Sequence, residues 1–250
     1  MLRRRIETEY RMLKRREIKI QGFDGYAVGD DDAKHTIVLL HGYGADASDL
    51  VPLSSAVDPE SRYRWFFLNA PNRLPPQFGG GRSWFDLPAD QLMRVVSNQE
   101  PFHLEEFESA GLEAIGKKLF ESIQEISESE GRLILGGFSQ GAMVAIEASL
   151  KIGERVNGLA LFSGTLIHKS KWTANLPNLL NTQYFQSHGH QDPLLSFSSA
   201  QALNALLTKS GLSGEFYPFS GGHEIPFEVL SRFRVFLENV FLCSGDSIDV

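Results

Sequence analysis

One serine stands between two pairs of small residues in Gly136-Gly137-Phe138-Ser139-Gln140-Gly141-Ala142, directly after the apolar run Leu133-Ile134-Leu135. A serine hydroxyl is a weak nucleophile until a base takes its proton, and the usual base is a histidine oriented by a carboxylate. Two other segments offer those groups. Asp192 lies in Ser187-His188-Gly189-His190-Gln191-Asp192-Pro193, and His223 lies in Ser220-Gly221-Gly222-His223-Glu224. Both follow short β-type runs. The chain order is Ser139, Asp192, His223, with gaps of 53 and 31 residues that leave room for strand–helix units between them. The chemistry such a set performs is acyl transfer through a covalent intermediate on Ser139. Small residues are required around that serine if it sits on a sharp strand-to-helix turn, because the two backbones then approach closely.

Acyl transfer also needs donors for the developing oxyanion. The N–H of Gln140, next after the serine, is one candidate. Leu39-Leu40-His41-Gly42-Tyr43-Gly44 follows another apolar run, and the N–H of Tyr43 is the second candidate. Each such donor can be worth about 3 kcal/mol of transition-state stabilisation. His41 is read as a structural residue that holds this loop. A rival chemistry uses His188, His190 and Asp192, which read H-x-H-x-D and would share one face of an extended segment. Metallohydrolases with that spacing continue with another histidine, whereas Pro193 follows here, and zinc sites need three or four placed ligands. The expectation is no metal and no organic cofactor.

These residues need a frame. β-type runs are read at 17–20, 36–40, 65–69, 132–137, 157–163, 182–188 and 215–219, several of them almost continuously apolar. Helical patterns are read at 104–126, 140–152, 197–210 and 225–242. Strands alternating with helices predict a mostly parallel central sheet flanked by helices on both faces. In such sheets ligands gather at the carboxyl ends of the strands. Each candidate residue falls there, and the order Ser…Asp…His is that of the α/β-hydrolase fold. Only 53 positions separate Ser139 from Asp192, too few for a large cap domain.

Composition narrows the function classes. With 42% hydrophobic and 22% charged residues over 250, the chain suits one soluble core. A net charge of −7 argues against a nucleic-acid partner. Cys243 is the sole cysteine, which excludes an intramolecular disulfide and a cysteine-rich zinc site. No apolar stretch approaches the roughly 18 residues of a membrane span, and no signal-type apolar segment follows the basic start, so a cytoplasmic location is expected. Residues 1–20 carry +5 while the rest carry −12. The expected organisation is a basic arm at 1–15, a hydrolase domain at 16–243 and a tail at 244–250. The arm is read as solvated, with membrane-surface contact or a homodimer contact as the alternatives.

Together these motifs resemble the carboxylesterase/phospholipase family of α/β hydrolases, which includes acyl-protein thioesterases. The resemblance covers residues 16–242 and rests on LLHGYGADASDL, APNRLPP with GGGRSWFDL, GGFSQGAM, HGHQDP and GGHEIP. It implies Ser139 as nucleophile, His223 as base and then acid, Asp192 as orienter, and Tyr43 and Gln140 as oxyanion donors. It also implies that Trp84 sits beside the substrate. The family often has leucine where Tyr43 stands, PLLSF follows Asp192 in place of a run with valine and a second proline, and the basic arm is additional. The segment 164–181 is read as the nearest thing to a cover, lining an acyl groove through Phe78, Phe85, Trp172, Leu176 and Leu179. The expected substrate is a small-molecule ester with a short to medium acyl chain. A thioesterase or a lysophospholipase would use the same triad. A non-catalytic binding protein would need the triad to be incidental.

Overall fold

In Thr36–Leu40 all five residues are buried, yet they feed two separate cores. Side chains alternate across a strand, so Val38 and Leu40 join one apolar cluster while Ile37 and Leu39 join the other. Leu135, Leu159 and Leu161 fall with the first pair, and Ile134, Ala160 and Phe162 with the second. A strand covered on both faces has no polar face to show, which is why these runs read as continuous hydrophobic stretches.

The computed structural model describes residues 15–76, 80–97, 100–127 and 131–242. Residues 1–14 of the expected arm at 1–15, Phe78, Cys243 and the tail at 244–250 lie outside the described residues. The strands are β1 (Arg16–Ile20), β2 (Phe23–Val28), β3 (Thr36–Leu40), β4 (Arg64–Leu68), β5 (Asn72–Arg73), β6 (Arg82–Ser83), β7 (Leu133–Phe138), β8 (Val156–Phe162), β9 (Gln183–Gly189) and β10 (Ser213–Phe219). The α-helices are α1 (Val51–Val57), α2 (Ala89–Val96), α3 (Ala110–Ile126), α4 (Gln140–Ile152), α5 (Lys169–Asn175), α6 (Phe197–Lys209) and α7 (Phe227–Leu242). The main sheet has eight strands in the order β1-β2-β4-β3-β7-β8-β9-β10. β2 runs antiparallel to β1 and β4, and the other pairs are parallel. Helices α3 and α4 bury their apolar residues in the first cluster, and α1 and α7 in the second. This is the α/β-hydrolase fold.

One boundary and one unread strand differ from the sequence expectation for physical reasons. Helix α3 begins at Ala110, not at 104, because Ser109 is extended (φ −128°) and its hydroxyl accepts the Leu112 N–H as an N-cap. Strand β2 contains Gly25, whose Cβ would lie 2.1 Å from the Phe67 carbonyl oxygen, so this strand has no continuous apolar signature. Among the described residues no helix is long and apolar enough to cross a membrane.

Candidate active site

Ser139 joins β7 to α4 with φ 56° and ψ −117°. A residue with a side chain adopts that backbone rarely, at a cost of about 1–3 kcal/mol. The Ser139 N–H donates to Phe162 O at 2.8 Å, extending the sheet ladder by one bond before the chain turns. The neighbouring glycines show why small residues are needed. A Cβ on Gly137 would sit 2.5 Å from Leu40 O, and one on Gly141 only 2.0 Å from the same oxygen. Gly136 is crowded differently: its Cβ would meet Ala160 O at 2.4 Å, a consequence of packing against β8 and not of the turn.

The loop after β3 closes over this serine. A Cβ on Gly42 would lie 3.4 Å from Ser139 Cβ and 3.1 Å from the Phe138 ring. His41 anchors the loop from beneath. Its Nε2 accepts the Ala70 N–H at 3.0 Å, so Nδ1 carries the proton and donates to Gly42 O at 2.7 Å. Burial pushes the ring's pKa down, as expected for a neutral structural histidine. The Gln140 side chain has a role the sequence did not reveal. Its Oε1 accepts the Trp84 N–H at 2.9 Å and its Nε2 donates to Phe85 O at 2.8 Å, locking the 84–85 segment to the serine turn. Among the described residues the backbone N–H groups of Tyr43 and Gln140 donate to no protein acceptor. Both residues line the same cavity as Ser139 and His223.

Asp192 and His223 meet directly. His223 Nδ1 donates to Asp192 Oδ2 at 2.6 Å, while Asp192 Oδ1 accepts the N–H groups of Leu194 (2.8 Å) and Leu195 (3.0 Å). Burial alone would raise the Asp192 carboxyl. Hydrogen bonds from His188 and His223 outweigh it and hold the group well below the usual carboxylate range. The Phe138 ring packs on His223 with centroids 4.7 Å apart, so the residue before the serine also props the histidine. Ser139 Oγ and the His223 ring form no hydrogen bond among the described residues; both line one cavity.

The H-x-H-x-D set does not converge. β9 ends at Gly189, so alternation fails beyond it. His188 is buried beside Asp192, but His190 is exposed and packs on Phe197, centroids 4.2 Å apart. Glu108, Glu113 and His168 also approach one another. His168 Nε2 already accepts the Ser109 N–H at 2.6 Å, and its Nδ1 faces Glu147 Oε2 at 3.5 Å, so no lone pair of the ring is directed at those two carboxylates.

The cavity over Ser139 has a volume of about 510 Å³. Its walls correct the expected substrate contacts. Trp84, Phe85 and Trp172 are all at most 2% exposed and line none of it. Trp84 Nε1 donates to His41 O at 2.8 Å, and Trp172 Nε1 donates to the buried Glu147 at 3.0 Å. Both indoles have their polar atom satisfied inside the protein, which fixes them as packing residues. Leu176 and Leu179 are likewise buried, and no described residue of 164–181 lines the cavity. The apolar wall is instead supplied by Leu87, Leu92, Met93, Val95, Phe102 and Leu104, with Met143, Leu194 and Leu195. The available signal was Pro88 ahead of a short amphipathic run, with Met93 left 61% exposed at the rim.

Comparison with known proteins gives the family and the fold. The family model described as Phospholipase/Carboxylesterase matches residues 27–241. Acyl-protein thioesterase 1 of Debaryomyces hansenii is 26% identical over 224 residues, covering 83% of this chain and 92% of the relative. Carboxylesterase SOBER1 of Arabidopsis thaliana is 28% identical over 201 residues, covering 77% and 85%. The crystal structure of esterase PE8 shares the fold with a TM-score of 0.67 at 24% identity, covering 91% of this chain and 99% of that one. The chain, with Ser139 on its strained turn and Asp192 and His223 paired beside it, belongs to the phospholipase/carboxylesterase family of α/β hydrolases.

Proposed function

We propose that this chain is a serine hydrolase that cleaves carboxylic esters of short to medium acyl chains. The observation that carries the reading is the 2.6 Å bond from His223 to Asp192 beside a serine held at φ 56° on the same cavity. Ser139 Oγ attacks the ester carbonyl while His223 Nε2 takes its proton. The Tyr43 and Gln140 N–H groups receive the negative oxygen. His223 returns the proton to the leaving alcohol, and the acyl group stays on Ser139. Water then attacks the acyl-enzyme with His223 again as base, releasing the acid. His223 handles every proton in this scheme, so it calls for no metal or cofactor. A thioester is the second reading, favoured by the likeness to an acyl-protein thioesterase, and it uses the same atoms.

The acyl chain would lie against Leu92, Val95, Phe102 and Leu195, where each buried methylene contributes about 0.8 kcal/mol. A smaller cavity of about 280 Å³ shares Asp49, Phe138 and His223 with the first; Glu224 also lines it, and no described Lys or Arg does. That side receives the leaving group. The test is an aryl-ester series of rising acyl length, measured below and above the micelle point of its longest member. kcat/KM should climb while methylenes enter the cavity, then level or fall, with no jump at the interface. A steady rise to long chains with interfacial activation would overturn the size assignment.

A further inference from the structure

His188 is not consumed by the scheme above, and its surroundings are specific. The ring is fully buried. Its Nε2 lies 2.8 Å from Leu195 O and 3.2 Å from Asp192 Oδ2. A carbonyl oxygen and an ionised carboxylate are both acceptors only, so Nε2 must carry the proton and is shared between them. The other nitrogen, Nδ1, is buried without a partner. An apolar side chain of similar size would avoid that orphaned atom. Space filling therefore does not account for histidine here; an Nε2–H held on Leu195 O, with the Asp192 carboxylate 3.2 Å away, does.

We propose that His188 is a positioning residue of the triad, a second donor that fixes Asp192 Oδ2 and divides its negative charge with His223. The proposal rests on the hydrolase reading given above. Asp192 then faces four N–H groups: two backbone N–H groups that hydrogen-bond Oδ1, His223 Nδ1–H that hydrogen-bonds Oδ2, and His188 Nε2–H, bonded to Leu195 O with Oδ2 3.2 Å away. That number matches the accepting capacity of a carboxylate. The Leu195 carbonyl links the device to the cavity wall, because the Leu195 N–H bonds the same carboxylate and its side chain lines the acyl side. Without His188 the whole charge of Oδ2 would face His223, binding its proton more tightly. The other charged or titratable groups around this region are Asp49 and Glu224, which line the cavity beside His223, and His190, which packs on Phe197. None of the three hydrogen-bonds Asp192 among the described residues.

The test compares His188→Leu, which removes the donor, with His188→Gln, whose terminal amide can place an N–H near the position of Nε2. For His188→Leu, kcat should fall about tenfold, the scale for one charge-assisted hydrogen bond, with KM little changed. The acid limb of kcat/KM should move to higher pH. His188→Gln should restore the wild-type limb. A labelled wild type whose acid limb is unmoved in a folded His188→Leu variant overturns this proposal alone, as does a His188→Gln limb displaced like that of His188→Leu. If His188→Leu does not fold, nitrogen-15 NMR of the wild type decides: an Nε2–H tautomer at His188 supports the proposal and an Nδ1–H tautomer refutes it. The wild type is also treated with a serine-directed phosphonate. Failure to label Ser139 removes the hydrolase reading, and this proposal with it.

Discussion

Ser139, Asp192 and His223 are distributed over 85 positions of chain, yet each was legible because each sits one turn beyond a strand. The small residues around Ser139 carry their reason in the backbone: Gly137 and Gly141 both lie against Leu40 O. The roles of tryptophans were not legible in the same way. An indole beside a predicted site fits a substrate wall and a core equally well in sequence, and only the buried acceptors for Trp84 and Trp172 decide between them. At this scale the account makes a sharp prediction for the triad acid. Asp192→Asn should lower kcat by about 10⁴, the scale seen when a triad carboxylate loses its charge and the wrong tautomer of the histidine results. Because the folded carboxyl lies below its unfolded value of about 4, its contribution to stability is complete above that pH. It is lost as pH falls through the lower folded value. Steady-state kinetics of the folded variant checks the first statement, and urea titrations across acid pH check the second; a fall in kcat of less than tenfold would contradict the role given to Asp192.

The elements explain where sequence reading stopped. The strands of the sheet centre are apolar on both faces and announce themselves, whereas β2 is interrupted by Gly25 and does not. Helix α2, which lines the cavity with Leu92, Met93 and Val95, is amphipathic but only eight residues long. The segment 164–181 looked like a surface flap because its partner is hidden: Glu147 lies in the alanine-rich helix α4, where nothing in sequence marks a glutamate as fully buried. In the fold it accepts from Lys171 Nζ (2.6 Å) and Trp172 Nε1 (3.0 Å), pinning α5 to the helix that presents Ser139. Burial would raise the Glu147 carboxyl, but the nearby His168 ring and hydrogen bonds from Lys171 and Trp172 hold it at about 2. Its stabilising contribution is therefore present above the ordinary glutamate range and lost as pH falls from there towards about 2. Glu147→Gln should cost about 3 kcal/mol at neutral pH, as breaking a buried pair does, and should flatten the acid dependence in that window. Urea unfolding at pH 7 and pH 3 measures both; a variant as stable as the wild type at pH 7 would show that α5 is held by apolar packing alone.

For the whole molecule, the parallel sheet gathers loops from β3, β7, β9 and β10 at one end, and the two sides of that end differ in character. The proposed acyl side is walled mostly by leucine, methionine and phenylalanine; Asp49 borders both cavities, Glu224 lines only the smaller one, and no described Lys or Arg lines either. Esters that differ only in leaving-group charge should therefore be hydrolysed in the order cationic or neutral above anionic, with the gap closing as salt screens it. Equal kcat/KM for both signs at low salt would contradict that reading. All of this depends on one event, the transfer of an acyl group to Ser139. The direct measurement is peptide mass spectrometry after acid quench during turnover of a slow aryl ester. The account predicts a mass increase equal to the acyl group on the peptide containing Ser139, absent in a folded Ser139→Ala variant whose turnover has fallen by orders of magnitude. Acylation at another residue, or near-normal turnover in Ser139→Ala, would contradict it.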